Sequence, residues 1–396
     1  MTIFQGMLLH DPPIPPEPGW VAVEGGRIAD LGHGVPPEKP AAGDEQCIVC
    51  PGFVDAHIHL PQINVMGCEA GDLLRWLDEV VYPAETGWES AEVAAAQIRQ
   101  AHRRMLKAGT LAYAGYLTSH HHGPAVLRRE HRATPLRAIV GQSLMDREVP
   151  QRLMGQAVDL PPIGGDRLRW SVNPRFAVSC SDTMLARAGA LAAQRRFVQT
   201  HLAESTAECA LVRKLFPRDA SYTAVYDRHG LLTERTLLAH CLHLSDEEWS
   251  LIAGRRSVVV HCPTANTFLQ SGVFDLNAAR EHGVRLALGS DVAAGPDVAM
   301  PRVARAMIET AKARRLMLAS DSRIPTPAEV WSLMTRGNAD ALGFDDGGRL
   351  EAGAAADLLI LRPPFAVDRH LIGRLIYTWR DEYIAHRILA GRLVRA

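Results

Sequence analysis

Long apolar runs are the first thing this chain lacks. No stretch reaches the about 18 consecutive apolar residues of a membrane-spanning helix. Nothing at Met1 has the basic, apolar, small-residue pattern of an export leader, so the expected location is the cytoplasm. One-sided charge is missing too: 43 Lys and Arg stand against 44 Asp and Glu, for a formal net charge of −1. That balance argues against nucleic acid or an anionic membrane as partner. Cysteine supplies no disulfide framework, because the seven residues are odd in number and scattered, which suits a reducing compartment. Cys47 and Cys50 resemble half of a zinc or redox motif, but no second pair accompanies them. They read as structural residues of the strand entering the main domain. Lysine is scarce. Only Lys39, Lys107, Lys214 and Lys312 occur, which leaves none between Lys107 and Lys214.

What is present is alternation. Apolar strand candidates repeat along the middle of the chain, separated by helical periodicity over Ala91 to Ala108, Thr183 to Arg196, Ala207 to Phe216 and Pro301 to Leu316. Such alternation predicts a parallel sheet, and its length favours closure into a (β/α)8 barrel over an open sheet. Both ends read instead as short strands: Gly19 to Val23 and Arg27 to Leu31, then Ala356 to Leu361 and Ala385 to Val394 with a turn at Ala390-Gly391. The expected organisation is α/β: a barrel over residues 50–345 and a small composite β-rich domain built from both termini, 1–49 and 346–396. The segment from Gly67 to Glu89, with Trp76, Tyr82 and Trp88, is too long for a minimal loop and is expected to wall the barrel mouth.

Five of the apolar runs stop in a polar residue. Pro51-Gly52-Phe53-Val54-Asp55-Ala56-His57-Ile58-His59 ends in two histidines that share one face of a strand. Later runs end at His201, His240, His261 and Asp291. His57, His59 and His201 supply three neutral nitrogens and Asp291 a carboxylate, leaving a position for water, as a hydrolytic metal centre needs. One divalent metal is expected, zinc or else iron, since imidazole and carboxylate ligands exclude neither. A water on such an ion has a pKa of about 7, so hydroxide is available at neutral pH. Glu204, three residues after His201, is the candidate general acid/base. His240 is expected to hydrogen-bond the attacking water or the developing tetrahedral oxygen, and Asp291 to accept the water's proton. Plainer readings stand beside these: His57 and His59 as polar residues at a loop start, and Glu204 as a carboxylate favoured by a helix N-terminus. His243 and His261 either neighbour the site or are merely solvated, and His120-His121-His122 reads as a polar loop.

The motifs resemble those of the amidohydrolase superfamily and, within it, its guanine-deaminating branch. The resemblance rests on the entry motif from Pro51 to Gln62 and on Leu73-Leu74-Arg75-Trp76-Leu77 with Tyr82-Pro83-Ala84-Glu85. It continues through Pro174-Arg175-Phe176-Ala177, Thr200-His201-Leu202-Ala203-Glu204, His261-Cys262-Pro263-Thr264-Ala265-Asn266 and Gly289-Ser290-Asp291. It implies hydrolysis of guanine to xanthine and ammonia, with Gln62 and Arg175 on the base edge, Phe176 on the ring, and a homodimeric assembly. On their own, Arg175 reads equally as a strand-end ion pair and Phe176 as core packing. Binuclear members bridge two metals with a modified lysine on a middle strand; the gap between Lys107 and Lys214 therefore favours a single metal. The chain departs from the pattern at Leu60, at Cys241 and across Val292-Ala293-Ala294-Gly295, all near the pocket. The partner class is accordingly a small-molecule purine or related heterocycle, with a pterin, an oxidised guanine, an s-triazine or cytosine as rivals to guanine. A metal-free barrel scaffold is the rival from outside enzymology.

Overall fold

The computed structural model describes residues 1–12, 14–155, 161, 164–318 and 322–395. Two curled parallel sheets make the barrel. One runs through Phe53–His59, Thr110–Leu117, Arg137–Leu144 and Leu168–Trp170, with Asn173–Pro174 continuing the last of these beside Arg137–Leu144. The other runs through Val198–Leu202, Thr236–His240, Val258–His261 and Arg285–Leu288. Most of these strands are buried along their whole length, which is why they read as apolar runs rather than as alternating patterns.

The sheets join at two seams. At one, Val172 bridges Val198 in parallel, and the Gln199 amide donates to the Val172 carbonyl at 3.0 Å. At the other, between the last and first strands, side chains supply much of the pairing. Asn338 Nδ2 donates to the Val54 and Leu288 carbonyls at 2.6 and 2.7 Å, and its Oδ1 accepts from the Leu288 amide at 2.8 Å. Gly289 permits this closeness, since a Cβ there would lie 2.6 Å from the His57 Cβ.

The helices are where the periodicity puts them. Ala91–Ala108 is bounded by Ser90, whose side chain accepts from the Val93 amide, and by Gly109 at φ 85°. Asp182–Ala192, Thr206–Leu215 and Met300–Leu318 occupy the other three expected stretches. Among the described residues no helix is long and apolar enough to cross a membrane. Phe53 anchors the first strand, packing edge-on against Trp331 and Trp379 at 5.6 and 5.2 Å; such pairs contribute about 0.5–1.5 kcal/mol each beyond their area.

A third sheet draws on both termini, in the order Arg392–Val394, Ile384–Leu389, Leu358–Leu361, Ala42–Pro51, Thr2–Leu8, Glu17–Glu24, Arg27–His33. It has its own core around Phe4, Val21, Val49, Leu358 and Ile388. Cys47 and Cys50 correct the sequence reading in one respect. Their strand, Ala42–Pro51, pairs with Thr2–Leu8 and Leu358–Leu361 in this sheet and is not the strand that enters the barrel. All seven cysteines are free.

Candidate active site

The C-terminal ends of the barrel strands bring the polar termini together. His57 and His59 project from the first strand, His201 from the fifth and Asp291 from just beyond the eighth, all buried. The His59 Nε2 lies 3.2 Å from His57 Nε2 and 3.1 Å from His201 Nε2, and Asp291 Oδ1 lies 3.3 Å from both His57 and His59 Nε2. Ligands about 2.0–2.1 Å from a tetrahedral ion stand about 3.3 Å apart. Four of the six separations among these atoms therefore match the edge of a tetrahedral divalent-metal site, and all six lie within 4.8 Å.

Their protonation fits the same use. Burial, with the neighbouring charges of His57 and Arg175, lowers the His59 imidazole to about 4 against the pull of Asp291. Burial and the surrounding histidines hold His201 well below its ordinary value. His201 Nδ1 donates to the Arg175 carbonyl at 2.6 Å, which leaves the Nε2 lone pair facing the other ligands. Burial alone would raise the Asp291 carboxyl, but hydrogen bonds from His57 and His59 keep it well below the usual carboxylate range. Behind the ligands, buried Asp55 accepts from the amides of His57 and Ser290 at 3.1 and 2.9 Å, tying the first strand to the segment that carries Asp291.

Three strand ends adopt left-handed backbone at non-glycine residues: Ala203 at φ 50°, His240 and Cys241 at φ 72° and 55°, and Asp291 at φ 49°. Such conformations cost about 1–3 kcal/mol each and concentrate at functional sites. Here they turn the chain so that Glu204, His240 and Asp291 meet. Glu204 Oε2 is 3.3 Å from His240 Nε2, and its Oε1 accepts from Ser271 Oγ at 3.1 Å. Burial first, then the charges of Asp291 and Glu208, push the Glu204 carboxyl well above its ordinary value, which favours its protonated form. The helix-terminus role belongs to another residue. Glu208 forms a capping box with Ser205 and accepts from the Glu204 amide at 2.8 Å, while Glu204 lies outside the helix and faces the pocket. His240 Nδ1 donates to Asn266 Oδ1 at 2.8 Å, and its buried Nε2 has no hydrogen-bond partner.

The pocket above these groups is walled by Leu73, Trp76, Leu77, Phe176 and Leu269, with Gln62 and Arg175 among its polar lining. The segment from Gly67 to Glu89 coils into short helical turns over Leu73–Trp76, Leu77–Val81 and Tyr82–Thr86 and supplies one side. It also supplies Glu85, which sequence reasoning gave no role. Arg175 Nη1 donates to both Glu85 oxygens at 2.8 and 2.6 Å, and Gln62 Nε2 donates to Glu85 Oε1 at 2.9 Å. Arg175 is thus at once a lining residue of the pocket and half of a buried ion pair.

The remaining histidines fall outside this cluster. His243 Nε2 donates to the Ser271 carbonyl at 2.8 Å, and buried His261 stacks on Phe274 at 4.6 Å. His120 and His122 bond to Thr118 and to the Trp88 carbonyl near the start of a surface helix.

The family model described as the amidohydrolase family matches residues 48–394. A guanine deaminase of Mus musculus is 31% identical over 328 residues, covering 79% of this chain and 72% of the relative. Among solved structures, guanine deaminase from C. acetobutylicum with guanine bound in its active site superposes with a TM-score of 0.92 at 25% identity, covering 100% of both chains. An adenosine deaminase from Xanthomonas campestris with bound zinc superposes with a TM-score of 0.82 at 26% identity, covering 99% of this chain and 92% of that one.

Proposed function

The chain belongs to the amidohydrolase family, and we propose that it is a metal-dependent hydrolase that deaminates guanine to xanthine and ammonia. The observation that carries this reading is the close spacing of His57, His59, His201 and Asp291 beside the buried Glu204 carboxyl. These four residues would hold the ion, with zinc ahead of iron, a choice supported by the zinc of the adenosine deaminase neighbour. When bound, the ion supplies Lewis acidity and acidifies a water toward neutral pKa.

The protein's own groups do the rest. Phe176 offers a flat apolar wall to the purine, and Trp76 with Leu73 closes the pocket against bulk water. Arg175 and Gln62, both anchored by Glu85, present their remaining donors to the polar edge of the base. Glu204 gives its proton to the ring nitrogen next to the amino-bearing carbon, which makes that carbon electrophilic. Water adds its oxygen there and the exocyclic C–N bond breaks. Asp291 and Glu204 route the water's two hydrogens, one ending on the ring nitrogen and one on the departing ammonia. His240 Nε2, left as an acceptor because Nδ1 donates to Asn266, accepts a hydrogen bond from the hydroxyl as the tetrahedral centre forms.

The same reading places the enzyme in purine breakdown, in the cytoplasm and as a homodimer. The free thiols support a reducing compartment. The exposed Leu316, Met317 and Leu318, at 82, 78 and 55% accessibility, support an apolar contact with a second copy. Ammonia release from guanine by metal-replete protein tests the proposal, with pterin, 8-oxoguanine, an s-triazine and cytosine run in parallel. Preference for one of the other rings would move the assignment within the family; no release from any would remove it.

A further inference from the structure

Two atoms beside the four ligand side chains have no part in holding the first ion. His240 Nε2 is fully buried and without a hydrogen-bond partner, and Asp291 Oδ2 points away from His57 and His59 toward it, at 3.7 Å. Cys262, directly after the seventh barrel strand, is completely buried, and its Sγ lies within 4.8 Å of both a His240 nitrogen and an Asp291 oxygen. Glu204 Oε2 stands beside this set of three donors, 3.3 Å from His240 Nε2.

We propose that His240, Cys262 and Asp291 form a second, inhibitory site for a thiophilic divalent cation such as cadmium or excess zinc, with Asp291 bridging the two ions through its separate oxygens. The donor chemistry selects the ion: one thiolate, one imidazole and one carboxylate suit zinc or cadmium and disfavour magnesium or calcium. Imidazole orientation is already fixed, because Asn266 accepts from Nδ1 and leaves Nε2 free to coordinate. Coordination releases the Cys262 proton to solvent as the S–metal bond forms. An ion here occupies His240 Nε2 and stands against Glu204, whose Oε2 is 3.3 Å from that nitrogen. Inhibition therefore rests on the functional reading above, whereas binding does not.

Protein carrying one equivalent of zinc is titrated with cadmium chloride while bound metal, ultraviolet thiolate-to-cadmium charge-transfer absorption and ammonia release from guanine are followed. The native chain is expected to take up one further equivalent, gain the absorption and lose activity in step with it. Cys262→Ala, and independently Cys262→Ser, should keep the starting activity, lack the absorption and need at least about tenfold more cadmium for half-inhibition. Unchanged absorption and inhibition in both variants would overturn the site and assign the thiolate to another residue, such as exposed Cys68. Failure of the native chain to take up a second equivalent would overturn it as well. Uptake and absorption in a chain that never deaminates guanine would uphold the site and remove the functional reading instead.

Discussion

Glu85 accepts two hydrogen bonds from Arg175 Nη1, one on each carboxylate oxygen, with the two side chains only 2 and 4% exposed. A buried pair of this kind is costly to break from one side, because the survivor keeps its charge without a partner, at about 3–5 kcal/mol. Arg175→Leu is therefore expected to lower thermal stability as well as guanine turnover. The double variant Glu85→Gln, Arg175→Leu separates the two effects. It should regain most of the stability, read as Tm, while guanine turnover stays low and metal content stays unchanged. Recovery of turnover together with Tm would reduce Arg175 to an ion-pair residue. Gln62→Leu should act in the same direction on turnover but less, since it removes a neutral contact.

Glu204→Gln preserves size and hydrogen bonding but carries no transferable proton. Its kcat should fall by at least about 100-fold, the low end for a lost general acid/base, with metal still bound. Near-normal kcat would shift the proton work to Asp291 alone.

Purified protein should carry about one tightly held equivalent of divalent metal, zinc for preference. Chelation should abolish activity and lower Tm, since a ligand bound only by the native state stabilises it, and zinc should restore both. Two equivalents that survive extended dialysis would contradict the single-ion centre.

Asp346 links the barrel to the terminal sheet, accepting from Arg137 Nη2 at 3.0 Å and from Arg27 Nη1 at 2.8 Å. The Arg137 hydrogen bond, working against burial and joined by the Arg27 charge, holds its carboxyl down at about 2 against an ordinary 3.8. A depressed carboxylate stabilises the fold above its unfolded value and loses that contribution as pH falls through the folded one. The Tm gap between the native chain and Asp346→Asn should thus be full at neutral pH and shrink between about pH 4 and pH 2. A gap that stays constant over that range would show that the charge contributes nothing.

The ligand cluster was legible because each candidate closes an apolar run, and a barrel presents all such ends on one face. Helix Ala91–Ala108 was legible for a local reason: its serine cap and terminal glycine lie next to the periodic stretch they bound. Glu85 was not. Its partner Arg175 is 90 residues away, and only the coiling of the intervening wall joins them. Asn266 and Cys262 stood in a recognised motif, yet their roles depend on the left-handed turn at His240, which no pattern of apolar residues encodes. The misplacement of Cys47 and Cys50 has a simple source. Only Gly52 separates Ala42–Pro51 from Phe53–His59, so two strands of different sheets read as one continuous run.

The seam bridged by Asn338 sets an order of events for unfolding. The last strand reaches the first through one asparagine, one aspartate and a few loop amides, rather than through a full ladder. His57 and His59 lie on one bank of that joint and Asp291 on the other. An ion shared among them would act as a rivet across this joint. Amide protons at Leu288 and Asp291 should accordingly exchange with deuterium fastest after chelation, and metal loss should precede, not follow, opening of the barrel wall.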